Sequence, residues 1–129
     1  MTLNGSTHPT ILVAEDNDDT RLMLKKALEM NDYRVVEAVN GEDAIKVAVR
    51  EHPDIVLMDL QMPVLDGLAA ARRIREHPEL CNVPVVAITA FDVYGLEEGV
   101  LEEGCSGYLT KPIDFDRLER VLRDFLNTL

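Results

Sequence analysis

The side chains with the clearest chemistry in this sequence stand directly after short apolar runs. They are three acids, one hydroxyl and one amine: Glu15, Asp16, Asp59, Thr89 and Lys111. Three carboxylates within a few ångströms of one another repel, and they stay ionised together only beside a cation. Oxygen-only ligands suit a hard ion, and Mg²⁺ binds through one or two carboxylates while keeping several waters. These residue types therefore predict a Mg²⁺ site.

The hydroxyl and the amine indicate which reaction the predicted metal site could support. Lys111 carries a movable positive charge and Thr89 a hydroxyl donor, and groups of both kinds stabilise charge on phosphoryl oxygens. A carboxylate placed among them can attack phosphorus in line, and Asp59 follows the third apolar run. The set predicts phosphoryl transfer onto Asp59.

Short apolar runs supply the strands that must position these side chains. The runs are rich in Val, Ile and Leu, and continuous runs of this kind suit parallel strands that are covered on both faces. The five predicted strands cover residues 10–14, 33–37, 54–58, 83–89 and 107–109.

Amphipathic stretches follow the predicted strands. Four of them have apolar side chains at clear helical spacing. They are residues 18–30, a stretch capped by Asn40, residues 66–76 and a stretch capped by Asp114. A fifth helix is predicted over residues 92–103, and it is loosely held because Gly95 and Gly99 each cost roughly 1 kcal/mol relative to Ala.

Five strand–helix repeats predict an α/β fold, with a single doubly wound five-stranded parallel sheet and five helices. In such a sheet, ligands bind outside the carboxyl ends of the strands, where the order of winding reverses. The three acids, the hydroxyl and the amine are all expected at that edge, and no comparable group of reactive side chains is expected at the opposite edge.

The length of 129 residues predicts one domain. We expect a frayed tail over residues 1–9 and the domain over residues 10–129. The hydrophobic content of 47% is enough for a packed core. Cys81 and Cys105 form neither a disulfide framework nor a metal spacing, so both are predicted to be free thiols.

The charge balance excludes several classes of partner. The chain has 24 acidic and 13 basic side chains, a formal net charge of −11. That balance argues against nucleic acid, which needs clustered Lys and Arg, and against anionic membrane surfaces. No run approaches the ~18–20 apolar residues of a transmembrane helix, and no signal-peptide layout is present. We predict a cytoplasmic protein.

Five motifs and their spacing carry a family resemblance. The motifs are Ile11-Leu12-Val13-Ala14-Glu15-Asp16-Asn17, Asp59-Leu60-Gln61-Met62-Pro63, Asp66-Gly67, Thr89-Ala90 and Tyr108-Leu109-Thr110-Lys111-Pro112. Asp59 and Thr89 are 30 positions apart (89 − 59), and Thr89 and Lys111 are 22 apart (111 − 89). Over residues 10–126 the sequence resembles the receiver domain of two-component response regulators, in a form similar to the chemotaxis regulator.

The resemblance implies a flavodoxin-like sheet with strand order 2-1-3-4-5. It implies that a histidine kinase or a phosphotransfer protein phosphorylates Asp59 and that a downstream effector protein reads the result. Asp16, Asp59 and the backbone carbonyl of Gln61 would ligate Mg²⁺, with Glu15 acting mostly through water. Such a module is a signalling acceptor that loses its phosphoryl group slowly, and not an enzyme with turnover.

The resemblance also implies roles around the acceptor. Thr89 and Lys111 would hold the phosphoryl oxygens, and Tyr108 would be the aromatic residue that turns inward on activation. The peptide bond between Lys111 and Pro112 would be cis.

Two positions depart from the commonest form of the family. Glu15 stands where Asp is frequent, a mild change because the contact tolerates a water. Phe91, two positions after Thr89, is large and apolar beside the expected water path, and Gln61 is no base at neutral pH. Phe91 and Gln61 both favour slow self-dephosphorylation. The alternative is that Phe91 only packs against the helix predicted over 92–103.

The segment Cys105-Ser106-Gly107 lacks the acidic pair that DNA-binding relatives use for dimerisation, so we predict a monomer or a weak dimer. The pattern is shared by stand-alone regulators and by receivers that form part of larger hybrid kinases, and both remain open.

Two other functions share parts of this pattern. A phosphohydrolase of the haloacid-dehalogenase type needs a second Asp two residues after its nucleophile, where this sequence has Gln61, and a cap for which 129 residues leave no room. A flavodoxin-like electron carrier needs a hydroxyl- and Gly-rich phosphate loop after the first strand. Residues 15–19 are acidic or amide there and would repel the FMN phosphate, and the chain has no Trp to stack on a flavin.

The remaining reactive side chains are expected to be ordinary surface groups. The histidines are His8, His52 and His77, and the basic cluster, mostly surface charge, is Arg72, Arg73 and Arg75.

Overall fold

The computed structural model describes residues 8–62, 64–90 and 105–126. Its five strands form one parallel sheet in the order β2-β1-β3-β4-β5. The strands are β1 (Thr10–Ala14), β2 (Arg34–Ala38), β3 (Ile55–Asp59), β4 (Val85–Thr89) and β5 (Gly107–Thr110). The predicted parallel sheet and its strand order are confirmed, and Asp59 ends the central strand.

Four α-helices flank the sheet within the described ranges. They are α1 (Asp18–Met30), α2 (Gly41–Glu51), α3 (Gly67–Arg75) and α4 (Phe115–Leu126), with a 3₁₀ turn over Pro78–Leu80. Five helices were predicted; the one expected over residues 92–103 lies outside the described residues. None of the described helices is long and apolar enough to cross a membrane.

Side-chain caps explain where these helices begin. Asn17, Asn40 and Asp66 each accept a hydrogen bond from the backbone N–H three residues further on. Asp114 accepts from two amides in the first turn of α4. Each cap satisfies donors that the helix itself cannot pair. The caps predicted at Asn40 and Asp114 are confirmed.

The apolar side chains of the strands alternate between the two faces of the sheet, as the period of a strand requires. The face packed against α2 and α3 holds Leu12, Ala14, Val56, Met58, Val85 and Ala87. The face packed against α1 and α4 holds Ile11, Val13, Ile55, Leu57, Val86 and Ile88. Both faces are covered, which is why these strands read as continuous apolar runs.

The described chain begins beside the end of α1. A ring nitrogen of His8 lies 2.8 Å from the Asp32 carbonyl oxygen, and the Pro9 carbonyl accepts a hydrogen bond from the Arg34 N–H at 2.9 Å. His8 is exposed, in line with its expected surface position. Residues 1–7 of the predicted tail lie outside the described ranges.

Two glycines hold the loop after β3 against the helices. A Cβ on Gly41 would lie 2.0 Å from the Leu65 carbonyl oxygen, and one on Gly67 would lie 2.4 Å from the Asp59 carbonyl oxygen. Only glycine permits backbones to approach so closely. Within this loop Val64 has a φ of 72°, in the left-handed region. The loop after Asp59 is therefore held between the first turns of α2 and α3.

Arg75 fastens the end of α3 to the amino-terminal edge of the sheet. Its guanidinium donates to three backbone carbonyls in residues 80–83 and, at 3.1 Å, to the Ser106 hydroxyl just before β5. Arg72 and Arg73 are exposed, as predicted. The prediction that most of the three arginines are surface charge is confirmed, and Arg75 is the exception, because carbonyl oxygens of the segment that follows α3 surround its partly buried head group.

Candidate functional site

The carboxyl-terminal edge of the sheet brings together four of the predicted groups. Carboxylate oxygens of Glu15, Asp16 and Asp59 lie within 4.8 Å of one another. The Lys111 Nζ lies 3.1 Å from Asp59 Oδ2 and 3.3 Å from Glu15 Oε1. These groups follow β1, β3 and β5, so the order of the strands assembles the site.

The three acids differ in their exposure to solvent. Glu15 and Asp59 are buried, with 2% and 1% of their surface exposed, while Asp16 is exposed. Burial strengthens the repulsion between Glu15 and Asp59 because the surrounding dielectric is low. The exposed Asp16 leaves one side of the cluster open to a hydrated cation.

The Asp59 carboxylate is held at both of its oxygens. The Gln61 backbone N–H donates to Oδ1 at 3.0 Å, and the Lys111 ammonium donates to Oδ2 at 3.1 Å. The sequence motifs indicated a role for the Gln61 carbonyl but not for its N–H. The two bonds together fix the orientation of the Asp59 carboxylate.

The Glu15 carboxylate is only partly satisfied. Its Oε2 accepts a hydrogen bond from the Asn17 N–H at 3.1 Å, while its buried Oε1 has no hydrogen-bond partner among the described residues and only the nearby Lys111 charge. Burial, and the hydrogen bond and charge of Asp59, raise the pKa of Glu15 to about 7. The Lys111 ammonium, 3.3 Å from Oε1, therefore does not fully offset the cost of burying a charged Glu15 beside Asp59.

These observations fit a hard divalent cation. The donor set consists of carboxylate oxygens, which Mg²⁺ prefers, and one of those oxygens is buried without a hydrogen bond. Lys111 supplies only part of the missing charge. Burial lowers the pKa of its ammonium, but Asp59 and Glu15 more than offset this effect, so its pKa is raised overall and it stays charged.

Thr89 and Tyr108 lie on β4 and β5, the two strands on one side of β3. Thr89 is buried at the end of β4, and its carbonyl accepts the Lys111 N–H at 2.8 Å. Tyr108 is half-buried and packs against the apolar cluster beneath α2 and α3. The Lys111–Pro112 peptide bond is cis, as predicted. Phe91 lies outside the described residues.

The sequence pattern of the response regulator receiver domain matches residues 11–123. The chain belongs to this family. The similarity that the five motifs indicated is therefore confirmed, and the haloacid-dehalogenase alternative finds no support.

Known receiver proteins are similar over nearly the whole chain. The polar-differentiation response regulator DivK of Brucella ovis is 32% identical over 117 residues, which cover 91% of this chain and 95% of DivK. The receiver domain of the sensor histidine kinase PA1611 of Pseudomonas aeruginosa is 35% identical with a TM-score of 0.87, covering 94% of this chain and 99% of that one. That domain was crystallised with a magnesium ion in its active-site cleft.

A third receiver structure contains a partner. The receiver domain of Ssk1 from Saccharomyces cerevisiae was crystallised with the histidine phosphotransfer protein Ypd1. It is 28% identical with a TM-score of 0.84, covering 92% of this chain and 88% of that one. This chain is accordingly a receiver domain, a signalling module.

Proposed function

We propose that this receiver domain accepts a phosphoryl group on Asp59 from a histidine kinase or a phosphotransfer protein, with Mg²⁺ bound beside it. One observation carries the proposal. At the end of the central strand, the Asp59 carboxylate lies within 4.8 Å of two further carboxylates and 3.1 Å from a lysine ammonium. Repulsion among the three acids destabilises the fold, so a purely structural role does not account for the cluster.

The residues that would hold the ion are Asp16, Asp59 and the backbone carbonyl of Gln61, with Glu15 acting through water. When bound, Mg²⁺ supplies positive charge that neutralises the acids and the phosphoryl oxygens. The exposed position of Asp16 and the unbonded Glu15 Oε1 support this set.

In the transfer step, an Asp59 carboxylate oxygen attacks the phosphorus of the donor phosphohistidine. An O–P bond forms as the N–P bond breaks, and the donor imidazole keeps the electron pair and takes a proton. The bonds from Gln61 N–H and Lys111 hold the carboxylate, which reduces the entropy lost in reaching the geometry for attack. Thr89 and Lys111 then donate hydrogen bonds to the phosphoryl oxygens.

The proposed switch connects Thr89 to Tyr108. Tyr108 pairs in register with Ala87, two residues before Thr89 on the adjacent strand. Movement of the Thr89 hydroxyl toward the phosphoryl group would open space for the Tyr108 ring and change the surface that a downstream effector protein contacts. Amide exchange across β5, with and without beryllofluoride, tests this: unchanged protection at Tyr108 would contradict it.

Slow self-dephosphorylation is proposed to depend on Gln61 and Phe91. Neither side chain can deprotonate the attacking water at neutral pH, and Phe91 offers that water no hydrogen bond. Phe91→Asn is expected to speed phosphate loss about tenfold, equivalent to about 1.4 kcal/mol of barrier. Unchanged decay would make Phe91 a packing residue.

The acceptor is tested by incubation with acetyl phosphate and Mg²⁺, followed by intact mass measurement. We expect one addition of roughly 80 Da, the mass of a single phosphoryl group. Asp59→Asn should abolish it, and Asp19→Asn, which changes an exposed acid on α1, should retain it. An unlabelled wild-type protein, or persistent labelling of Asp59→Asn at Glu15 or Asp16, would overturn the assignment.

We further propose that the protein acts in the cytoplasm as a monomer or a weak dimer. The net charge of −11 disfavours nucleic acid and anionic membranes as partners. Sedimentation with and without beryllofluoride tests the oligomeric state, and a tight dimer in both conditions would contradict the proposal.

A further inference from the structure

Arg21 is a mostly buried cation on α1 that contacts the backbone at Glu15, directly after β1. Its side chain is 14% exposed. Its Nη1 donates to the Glu15 backbone carbonyl at 2.9 Å, its Nη2 lies 2.5 Å from Asp18, and its Nε lies 3.4 Å from Glu37. Each guanidinium nitrogen therefore faces an oxygen, and the three oxygens belong to three different parts of the chain.

These contacts place the Glu15 peptide between two elements. The Glu15 N–H donates to the Ala38 carbonyl of β2 at 3.1 Å, while its carbonyl accepts from Arg21 of α1. The same carbonyl carbon is bonded to the nitrogen of Asp16. The two peptide groups on either side of the Glu15 Cα are therefore each held by one hydrogen bond, and their orientation sets the directions in which the Glu15 and Asp16 side chains leave the backbone.

We propose that Arg21 is a positioning residue for the cation site. By holding the Glu15 carbonyl, it keeps the Glu15 and Asp16 carboxylates in the arrangement that binds Mg²⁺, although its guanidinium bonds to neither of those carboxylates. The inference rests on the proposed function, because it concerns affinity for the ion that the acidic cluster is proposed to hold. A preorganised site binds more tightly because less conformational entropy is lost on binding.

The direction of the effect separates this role from simple electrostatics. Arg21 carries a positive charge near the site, so by Coulomb attraction alone its removal would strengthen binding of a divalent cation. A positioning role predicts the opposite result, since a loosened Glu15 peptide must be ordered again each time the ion binds.

The experiment measures the Mg²⁺ dissociation constant by isothermal titration calorimetry for the wild type and matched variants. Arg21→Met removes the donors and the charge while keeping much of the apolar stem, and we expect about tenfold weaker binding, equivalent to about 1.4 kcal/mol. Arg21→Lys keeps the charge and one donor group, and it should restore part of the affinity.

The control is Arg34→Met. It removes the same charge from β2, where the Arg34 guanidinium contacts Thr10 and Glu51. We expect its Mg²⁺ affinity to be unchanged or slightly higher. A spectroscopic readout accompanies the titration: the Asp16 backbone amide should shift in ¹H–¹⁵N spectra of metal-free Arg21→Met, and not in Arg34→Met.

The outcomes separate the two proposals. A wild-type protein that does not bind Mg²⁺ overturns the proposed function, whereas a folded Arg21→Met that binds as tightly as Arg34→Met overturns only the role of Arg21. If Arg21→Met does not fold, Arg21→Lys decides, because it keeps the charge and loses the three guanidinium nitrogens that face oxygens. Mg²⁺ binding weaker than that of the wild type supports the role, and wild-type affinity overturns it.

Discussion

The Glu15 carboxyl is buried beside Asp59 and has one oxygen without a hydrogen bond. We predict that Glu15→Gln stabilises the metal-free protein by about 1 kcal/mol, because a neutral amide removes the repulsion and can donate to the Asp59 carboxylate. Thermal unfolding in a chelator should show a higher Tm for the variant than for the wild type.

Millimolar Mg²⁺ should reverse this order, because the variant has lost a charged group of the cation site. Glu79→Gln is the matched control, since Glu79 is an exposed acid on the 3₁₀ turn. A Glu15→Gln variant that is less stable than the wild type in chelator would contradict the prediction.

The Tyr33 hydroxyl should ionise at a higher pH in the folded protein than in the unfolded chain. Its hydroxyl donates to the Glu119 carboxylate at 3.2 Å, and burial together with that charge raises the pKa of Tyr33 to about 12. Because the unfolded chain ionises this phenol near 10, stability from Tyr33 is fully present below about pH 10 and is lost between about 10 and 12.

Ultraviolet titration of tyrosinate absorbance measures this. The chain has three tyrosines, and Tyr33→Phe should remove a component that ionises late in the folded protein. A wild-type curve in which all the tyrosines ionise together near pH 10 would show that the contact between Tyr33 and Glu119 is absent in solution.

Among single residues, the sequence predicted the charged side chains of the site. It did not predict the arginines that hold the surrounding backbone in place. Glu15, Asp59 and Lys111 could be found because each follows an apolar run. Arg21 and Arg75 could not, because a basic residue on an amphipathic helix reads as surface charge until its partners are known. The Ser106 partner of Arg75 is 31 positions away in sequence.

Among the connecting elements, the loop after β3 contains a residue poorly suited to its backbone. Val64 has a φ of 72° and is 74% exposed. The left-handed region is unfavourable for a β-branched side chain, whereas Asn tolerates it. We predict that Val64→Asn stabilises the protein by about 1 kcal/mol, measured by chemical denaturation.

The matched control is Val39→Asn, which changes a valine that is 46% exposed and is not among the described residues with positive φ. It should have little effect or be slightly destabilising. Equal stability of the two variants would indicate that the loop relaxes in solution and stores no strain at Val64.

Element boundaries were predictable where a local signal marks both ends. The predicted bounds of β1 and α1 agree with the structure, since Asn17 caps α1 three positions (17 − 14) after the apolar run of β1 ends. The second strand was predicted over residues 33–37 and spans Arg34–Ala38. Hydrophobic pattern shows that a strand exists but does not show where its ladder of hydrogen bonds to neighbouring strands ends.

For the whole molecule, the net charge of −11 and the gathered acids predict a specific response to Mg²⁺. An ion that binds only the native state at 100 times its dissociation constant adds about 2.7 kcal/mol of stability. MgCl₂ should therefore raise the Tm more than NaCl of equal ionic strength, which acts only by screening. Asp16→Ala should reduce this difference strongly, and Glu15→Ala less.

Equal effects of the two salts on the wild-type protein would argue against the site.

The global arrangement that creates the cation site could be predicted only in part from local pattern. Alternating strands and helices indicated a parallel sheet, but the order of the strands depends on which strands hydrogen-bond to which, and that information came from the family resemblance.

The strand order has a kinetic consequence. The contact between Lys111 and Glu15 joins residues 96 positions apart (111 − 15), and that between Lys111 and Asp59 joins residues 52 apart. Contacts this distant in sequence form only after the intervening chain has collapsed and paired. The cation site is therefore absent until the sheet is nearly complete. Bound Mg²⁺ should slow the unfolding rate and leave the refolding rate almost unchanged.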